Sequence, residues 1–201
     1  RVWDTPSGRQ LQLWSGAAGK VHCLAISPDG SKLVSGHPSG VMQIWELDPG
    51  RNVRTINSQG VVAAVAISPD GQRIASGTSQ GTVSVHDLSS GEELFTWKGH
   101  PVGVNSIAYS QDGHRIITGS MDQTAALWNA ANGEELGRAR GHSGEVHSAV
   151  FSSDGMKLAT ASADGSARIW DAQPDRDTLQ LGREISSVLD LTISPDGRRV
   201  L

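Results

Sequence analysis

Short runs of apolar residues, most of them four to six residues long, follow one another along the whole chain. Polar turns rich in Gly, Asp, Ser and Pro separate them, as in the successive runs VHSAVF, KLATAS, ARIW and TLQLG between residues 146 and 182. Such runs are too short for helices, and their content of Val, Ile and Ala fits strands joined by hairpin turns. Apolar residues lie on both faces of many runs, as expected of sheets that pack against a neighbour on either side. The pattern predicts an all-β chain of four-stranded units.

Two sequence marks repeat along the chain with one period. The turn SPDG begins at Ser27, Ser68 and Ser194, and its variants SQDG and SSDG begin at Ser110 and Ser152. Successive serines in this series are 41, 42, 42 and 42 residues apart. The pairs WD, WE, HD, WN and WD form a second series, with spacings of 42, 41, 42 and 42 residues. Because two separate marks keep the same period, the sequence indicates an internally repeated fold.

The repeat resembles that of the WD40 proteins, which fold as β-propellers. The resemblance rests on the GH pairs ending at His100 and His142, the SPDG turn, an aspartate in the next turn and the closing WD pair, all in register. It implies a single propeller domain over residues 1–201, with four complete four-stranded blades at 17–57, 58–99, 100–141 and 142–183. It also implies a trailing half-blade at 1–16 and a leading half-blade at 184–201. We expect a fragment of a longer propeller; the alternative is that the two half-blades pair into a fifth blade.

A hydroxyl, a histidine and an aspartate recur together in two of the units, which raises the question of a hydrolase site. A catalytic site has no reason to recur in each structural unit. The family resemblance implies instead a buried hydrogen-bonded network with a tryptophan, here called the tetrad, whose groups would each cost about 1–3 kcal/mol if buried without partners. The expected members are His100, Thr118 or Ser120, Asp122 and Trp128 in the third blade, and His142, Thr160 or Ser162, Asp164 and Trp170 in the fourth. Both hydroxyls of each blade lie on one strand face, so the choice between them stays open.

The first two blades lack parts of the tetrad while keeping the repeat. The first blade retains Trp45. The replacements are Ala17 for His and Ser39 for Asp in the first blade, and Ser58 for His, Gln80 for Asp and His86 for Trp in the second. We therefore expect these two blades to be less rigid than the third and fourth.

Composition removes several classes of function. The formal net charge is −4 and the cations are scattered, so the sequence predicts neither a nucleic-acid footprint nor a polybasic membrane patch. Cys23 is the single cysteine, which excludes an internal disulfide and a cysteine metal site. No histidine spacing resembles a zinc site, and His37 and His114, in or beside turns, are predicted to be solvated. We expect no metal, no cofactor and no membrane span, and a cytoplasmic location.

The resemblance implies a non-enzymatic scaffold that presents propeller loops to a protein or peptide partner. Its expected binding rim consists of Lys20, His22, Gln80, Asn105, Glu145 and His147. One alternative is the sensor or docking arm of a larger signalling enzyme whose catalytic domain lies outside this sequence. Another is a propeller enzyme with a central-channel site, although the first strands read mostly Val, Ala, Ile and Leu. Open strand edges near Trp3 and Leu201 are expected to permit self-association.

Overall fold

The chain folds entirely into β-strands and turns over the part that the structure, a computed structural model, describes: residues 1–13, 19–48, 50–172, 179–181, 189, 190, 192 and 194. No helix occurs within these residues, and the predicted all-β fold class is confirmed. The strands are β1 (Val2–Trp3), β2 (Gln10–Gln12), β3 (Cys23–Ile26), β4 (Lys32–Gly36), β5 (Val41–Glu46), β6 (Arg51–Asn57), β7 (Val62–Ile67), β8 (Arg73–Thr78), β9 (Thr82–Asp87), β10 (Glu93–Lys98), β11 (Val104–Tyr109), β12 (Arg115–Ser120), β13 (Ala125–Asn129), β14 (Glu135–Ala139), β15 (Val146–Phe151), β16 (Lys157–Ser162), β17 (Ala167–Asp171) and β18 (Leu179–Leu181).

Sixteen of these strands form four antiparallel sheets, each of four strands paired in chain order. We call them blade 1 (β3–β6), blade 2 (β7–β10), blade 3 (β11–β14) and blade 4 (β15–β18). The strands β1 and β2 pair in a separate two-stranded ladder within residues 1–16. The blade architecture predicted from the repeat is confirmed. The predicted leading half-blade at 184–201 lies almost wholly outside the described residues.

The hydrophobic core lies between successive blades, because each sheet buries both of its faces. Strands such as β8 and β12 have buried residues at consecutive positions rather than at every second one. A glycine in the second strand of one blade leaves room for the valine that begins the first strand of the next blade. A Cβ at Gly77 would lie 2.5 Å from Cγ1 of Val104, and one at Gly119 would lie 2.9 Å from Cγ1 of Val146. The small residue therefore sets how closely neighbouring blades approach.

The two ends of each blade carry different turns. At one end of blades 1 to 4, the serine of the SPDG-type turn donates to the aspartate two residues later, as Ser110 does to Asp112 at 2.5 Å. The turn between the third and fourth strands joins the same end, where the amide of Ala130 donates to the carbonyl of His114. We call this end the PDG face. The opposite end, the tetrad face, carries the GH loops and the turns between the second and third strands.

Polar side chains tie each blade to the blade that follows it. The guanidinium of Arg115 in blade 3 lies over the ring of Phe151 in blade 4, 5.4 Å from the ring centroid. Four of these side chains donate to a backbone carbonyl across a blade junction: Cys23 to Val62 (3.7 Å), Arg73 to Ala130 (3.3 Å), Asn105 to Val146 (3.1 Å) and Arg115 to Gly155 (2.9 Å). The bonds of Arg73 and Arg115 lie at the PDG face and those of Cys23 and Asn105 at the opposite end, so the blades are joined at both ends as well as through the apolar core.

Candidate functional site

The tetrad of blade 3 joins one loop, two strands and one turn around a single threonine hydroxyl. The indole N–H of Trp128 donates to Oγ1 of Thr118 at 2.8 Å, and this hydroxyl lies 2.7 Å from Nε2 of His100. The other ring nitrogen of His100, Nδ1, lies 2.7 Å from the carboxylate of Asp122. In blade 4, Trp170, Thr160, His142 and Asp164 repeat this geometry at 2.8, 2.7 and 2.8 Å.

Burial and hydrogen bonding set the charge states of the tetrads. Burial lowers the pKa of both tetrad histidines, even though the facing aspartates act in the opposite direction. Burial would raise the pKa of Asp122, but hydrogen bonds from Thr124 and His100 outweigh it and hold that pKa below its usual range. A neutral imidazole that donates from Nδ1 to the aspartate and accepts the threonine O–H at Nε2 satisfies every member.

The hydroxyl that joins each tetrad is therefore the threonine. Ser120 and Ser162, the alternative candidates, lie two residues further along the same strand and serve the adjoining turn. Oγ of Ser120 donates to the carbonyl of Gly103 at 2.8 Å and accepts from the amide of Asp122 at 3.1 Å. In blade 4, Oγ of Ser162 donates to the carbonyl of Gly144, one position earlier in the loop, and accepts from the amide of Asp164. These serines hold the GH loop against the turn.

Blade 1 builds a related network with a histidine from a different position. His37 is fully buried, so the prediction that it is solvated is wrong. Its Nε2 lies 2.9 Å from Oγ of Ser35, which also accepts the indole N–H of Trp45 at 2.9 Å. Its Nδ1 lies 3.1 Å from the carbonyl oxygen of Lys20. Residues two apart in a strand share a face, so the Ser-x-His sequence could have revealed this contact.

Blade 2 has the fewest of these contacts. Oγ of Ser76, at the position equivalent to Thr118, is buried without a hydrogen-bond partner, and so is Nδ1 of His86. Burial lowers the pKa of His86, whose Nε2 lies 3.9 Å from the carboxylate of Glu93. Because His86 stands where the other blades have tryptophan, blade 2 lacks the bond from an indole N–H to a strand hydroxyl that blades 1, 3 and 4 share.

An arginine covers each complete tetrad, and the register of the repeat did not reveal either one. In blade 3, Arg138 from β14 lies over the ring of Trp128 and donates to the carbonyl of Gly99 at 3.0 Å. In blade 4, Arg168 from β17 lies over the ring of Trp170. Because the two arginines come from different strands, no common position in the sequence marks them.

The predicted rim residues lie at the tetrad-face ends of the blades, but they differ in exposure. Lys20, His22, Gln80 and Glu145 are exposed, whereas Asn105 and His147 are half-buried. Asn105 and His147 each lie near the start of an inner strand, at a position that has no pairing partner in the adjacent strand. Such an irregularity resembles a β-bulge, and a β-bulge changes the direction of a side chain. The amide of Asn105 is committed to the blade junction described above, which leaves His147 as the half-buried rim residue without such a bond in the described part of the chain.

A groove of about 430 Å³ runs along the inner strands of blades 1 to 3. Its lining is mainly Ala, Val, Ile and Pro, with Tyr109 and Gln111 as the polar residues. Burial raises the pKa of Tyr109, and its hydroxyl makes no hydrogen bond within the described residues. The groove lining therefore contains no pairing of an acid with a base. Over the described residues, no group of three His, Cys, Asp or Glu side chains could hold a metal ion, and no helix is long and apolar enough to cross a membrane.

Repeated four-stranded blades, each stacked on the next and two of them closed by a buried tetrad, define a β-propeller segment. A family model for the WD domain, G-beta repeat, matches residues 8–46, 50–87, 91–129 and 133–171. Since these matches cover more than half of the sequence, the chain belongs to the WD40-repeat family. The resemblance inferred from the GH, SPDG and WD marks is confirmed.

Several curated proteins resemble shorter segments of the chain. The human ribosome biogenesis protein BOP1 is 42% identical over 53 residues, which are 26% of this chain and 7% of that protein. The human serine-threonine kinase receptor-associated protein is 35% identical over 49 residues, 24% of this chain and 14% of that protein. The ribosome biogenesis protein ERB1 of Coprinopsis cinerea is 35% identical over 57 residues, 28% of this chain and 8% of that protein. The chain thus spans only a small part of the length of these relatives.

Proposed function

We propose that the chain is a non-enzymatic interaction scaffold that binds a protein or peptide partner through its tetrad face. The contrast between the two faces carries this proposal. The PDG face repeats one serine–aspartate turn in every blade, with a lowered aspartate pKa caused first by the serine hydrogen bond in Asp29, Asp70, Asp112 and Asp154. The loops of the tetrad face vary, since HPVG at residues 100–103 is followed by HSGE at residues 142–145. Variation on a fixed scaffold is what partner recognition requires.

The residues that suggested a hydrolase support the same proposal. Thr118 and Thr160 are fully buried, and each hydroxyl is held between an imidazole and an indole. A nucleophile must reach its substrate, so a hydroxyl enclosed in this way is suited to holding a blade together. The apolar lining of the inner-strand groove likewise offers no acid–base pair for a central-channel enzyme. Docking within a larger signalling protein would use the same face.

A capture experiment with matched surface variants tests the proposal. The chain is used to capture partners from an extract, and each identified partner is then purified and titrated by calorimetry against three forms of the chain. The first form is the unchanged chain. The second carries charge or alanine substitutions at Lys20, Gln80 and Glu145, and the third carries them at Asp29, Asp70 and Lys157. We expect the tetrad-face substitutions to weaken binding by at least about tenfold and the PDG-face substitutions to leave it nearly unchanged. Loss of binding with the PDG-face set alone would refute the choice of face.

A further inference from the structure

Blade 3 carries three larger side chains on the tetrad face than its neighbours do. These residues are Val102 in the GH loop, and Met121 and Gln123 in the turn between β12 and β13. Blades 2 and 4 have small residues at the equivalent positions: Gly60 and Gly144 for Val102, Ser79 and Ala163 for Met121, and Gly81 and Gly165 for Gln123. Because those blades form the same loops and turns without the larger side chains, the architecture does not require them. We call Val102, Met121 and Gln123 the blade 3 knob.

Gln123 has a backbone conformation that favours glycine. Its φ is +70°, and it is the one non-glycine residue with a positive φ among those described. At the same turn position, Gly40, Gly81 and Gly165 have φ values of 82°, 81° and 79°. Residues with a Cβ are disfavoured there, and strain of this kind concentrates at functional sites. The Gln123 side chain is exposed and makes no hydrogen bond to the described residues. Backbone bonds such as the one from the amide of Gln123 to Ser120 hold the turn, so the side chain itself has no part in stabilising it.

The two apolar members of the knob are partly open to solvent. Val102 is 45% exposed and Met121 is 41% exposed, in a turn that lies against Gly103. A Cβ at Gly103 would lie 3.0 Å from Sδ of Met121, which shows how closely the loop and the turn pack. Together these side chains offer apolar surface that a partner would bury, with an uncommitted amide beside it.

A polar cleft of about 410 Å³ adjoins the knob. Its lining is Pro101, Asp122, Thr124, Glu135, Arg138 and Arg140, and Pro101 and Asp122 are chain neighbours of knob residues. Arg138 is paired with Glu135 at 2.7 Å and faces Asp122 at 3.6 Å. Arg140 is exposed, and no carboxylate of the described residues lies within ion-pair distance of it. The hydrogen bond from Arg138 lowers the pKa of Glu135, and the charge of Arg140 adds to this effect. The two guanidinium and two carboxylate groups of the lining cancel formally, and Arg140 is the cation among them that has no carboxylate at ion-pair distance.

We infer that the knob and the cleft together recognise an extended segment of a partner protein. The segment places a large aliphatic side chain on Val102 and Met121, its main chain beside the amide of Gln123, and a carboxylate on Arg140. This inference rests on the proposed function, since it assigns the partner contact of the tetrad face to one blade and gives it a chemistry. The charge of Arg140 selects an acidic segment over a basic one.

The experiment uses the whole chain, labelled with ¹⁵N, and capped Gly/Ser peptides that combine Leu or Ser with Glu or Lys over a range of spacings. Chemical shift titration gives both the affinity and the residues perturbed. We expect a Leu/Glu peptide to bind at least about tenfold more tightly than peptides lacking either residue, which corresponds to about 1.4 kcal/mol. The perturbed amides should centre on the knob and on Arg140.

Three variants separate recognition from folding. Met121→Ser should abolish the preference for Leu, whereas Ala163→Ser, at the equivalent position of blade 4, should change nothing. Arg140→Glu should reverse the preference from Glu to Lys. Gln123→Gly should weaken peptide binding while raising Tm by about 2–4 °C, because the glycine relieves the strain. A variant that gains stability and loses affinity cannot be explained by misfolding.

The inference is overturned if no Leu/Glu peptide binds preferentially, or if Met121→Ser and Ala163→Ser behave alike. Retained affinity in Gln123→Gly would exclude a role for the amide. These failures differ from failure of the proposed function. A protein partner that is lost with the Lys20, Gln80 and Glu145 set but unaffected by the knob variants would keep the tetrad face as the binding face and reject blade 3 as the contact.

Discussion

Replacing Thr160 by valine tests whether the tetrad stabilises blade 4. Valine has nearly the shape of threonine, so the substitution removes the hydroxyl with little change in packing volume. Thr160 is fully buried, and water cannot replace the missing group. The change leaves two polar atoms without their partner, Nε1 of Trp170 and Nε2 of His142, which lie 2.8 and 2.7 Å from the hydroxyl.

The expected loss follows from these two orphaned groups. Each buried polar group without a partner costs about 1–3 kcal/mol, so Thr160→Val should lower the free energy of unfolding by about 2–6 kcal/mol. Ser76→Ala is the matched control, because Ser76 occupies the same position in blade 2 and its hydroxyl has no partner to lose. Removing that hydroxyl should leave stability unchanged or raise it by about 1 kcal/mol.

Unfolding in guanidinium, followed by tryptophan fluorescence, measures the free energy of unfolding of the whole chain. Amide hydrogen exchange measures the local stability of each blade. The second measurement matters because stability in repeat proteins is a sum of local and interface contributions. Protection should fall in β15–β17 with Thr160→Val and stay constant elsewhere. Equal losses from Thr160→Val and Ser76→Ala, or a loss spread evenly over all four blades, would refute the role assigned to the shared hydroxyl.

Three other outcomes are expected. Acidification through about pH 6.5 should lower Tm in calorimetry, because burial lowers the pKa of both tetrad histidines and the unfolded chain then binds protons that the folded blades do not. His37→Ser should lower the free energy of unfolding by about 1–3 kcal/mol in denaturant titrations, since Ser35 loses its imidazole partner. Arg115→Ala should cost about 1–2 kcal/mol and increase hydrogen exchange at the junction of blades 3 and 4, because it removes the bond to Gly155 and the contact with Phe151.

Each of these outcomes has a result that would contradict it. A Tm that rises on acidification would mean that the tetrad histidines gain protons on folding. His114→Ser changes an exposed histidine, so a loss equal to that of His37→Ser would exclude the buried network in blade 1. Arg73→Ala removes a longer bond, 3.3 Å to the carbonyl of Ala130, and should cost less than Arg115→Ala. The reverse order would show that the junction does not depend on bond geometry.

The strands and the blades were predictable because their signals are local. Alternating short runs and turns fix each strand, and the 41–42-residue period fixes which strands correspond. The choice between Thr118 and Ser120 was not predictable, because both hydroxyls lie on one face of β12. Only their distances to the indole of Trp128 and to the loop carbonyl of Gly103 separate them.

The contacts that sequence reasoning missed come from residues outside the expected position. A search for a tetrad histidine looks in the loop before the first strand, whereas His37 reaches the same kind of hydroxyl from the end of the second strand. Arg138 and Arg168 lie beside equivalent tryptophans from different strands. A histidine or arginine side chain can reach the same part of a blade from more than one sequence position, and the register of the repeat identifies only the most common position.

The side chains that bridge the blades have a consequence for how this sequence can change over generations. In each of the four bridging bonds, the donor is a side chain of the earlier blade and the acceptor is a backbone carbonyl of the later one. A carbonyl is present whatever residue stands there, so the accepting positions can mutate without losing the bond. Selection on these four bonds then acts on the donors, such as Arg115 and Asn105. A duplicated blade would dock onto such a donor without first having to evolve a matching side chain.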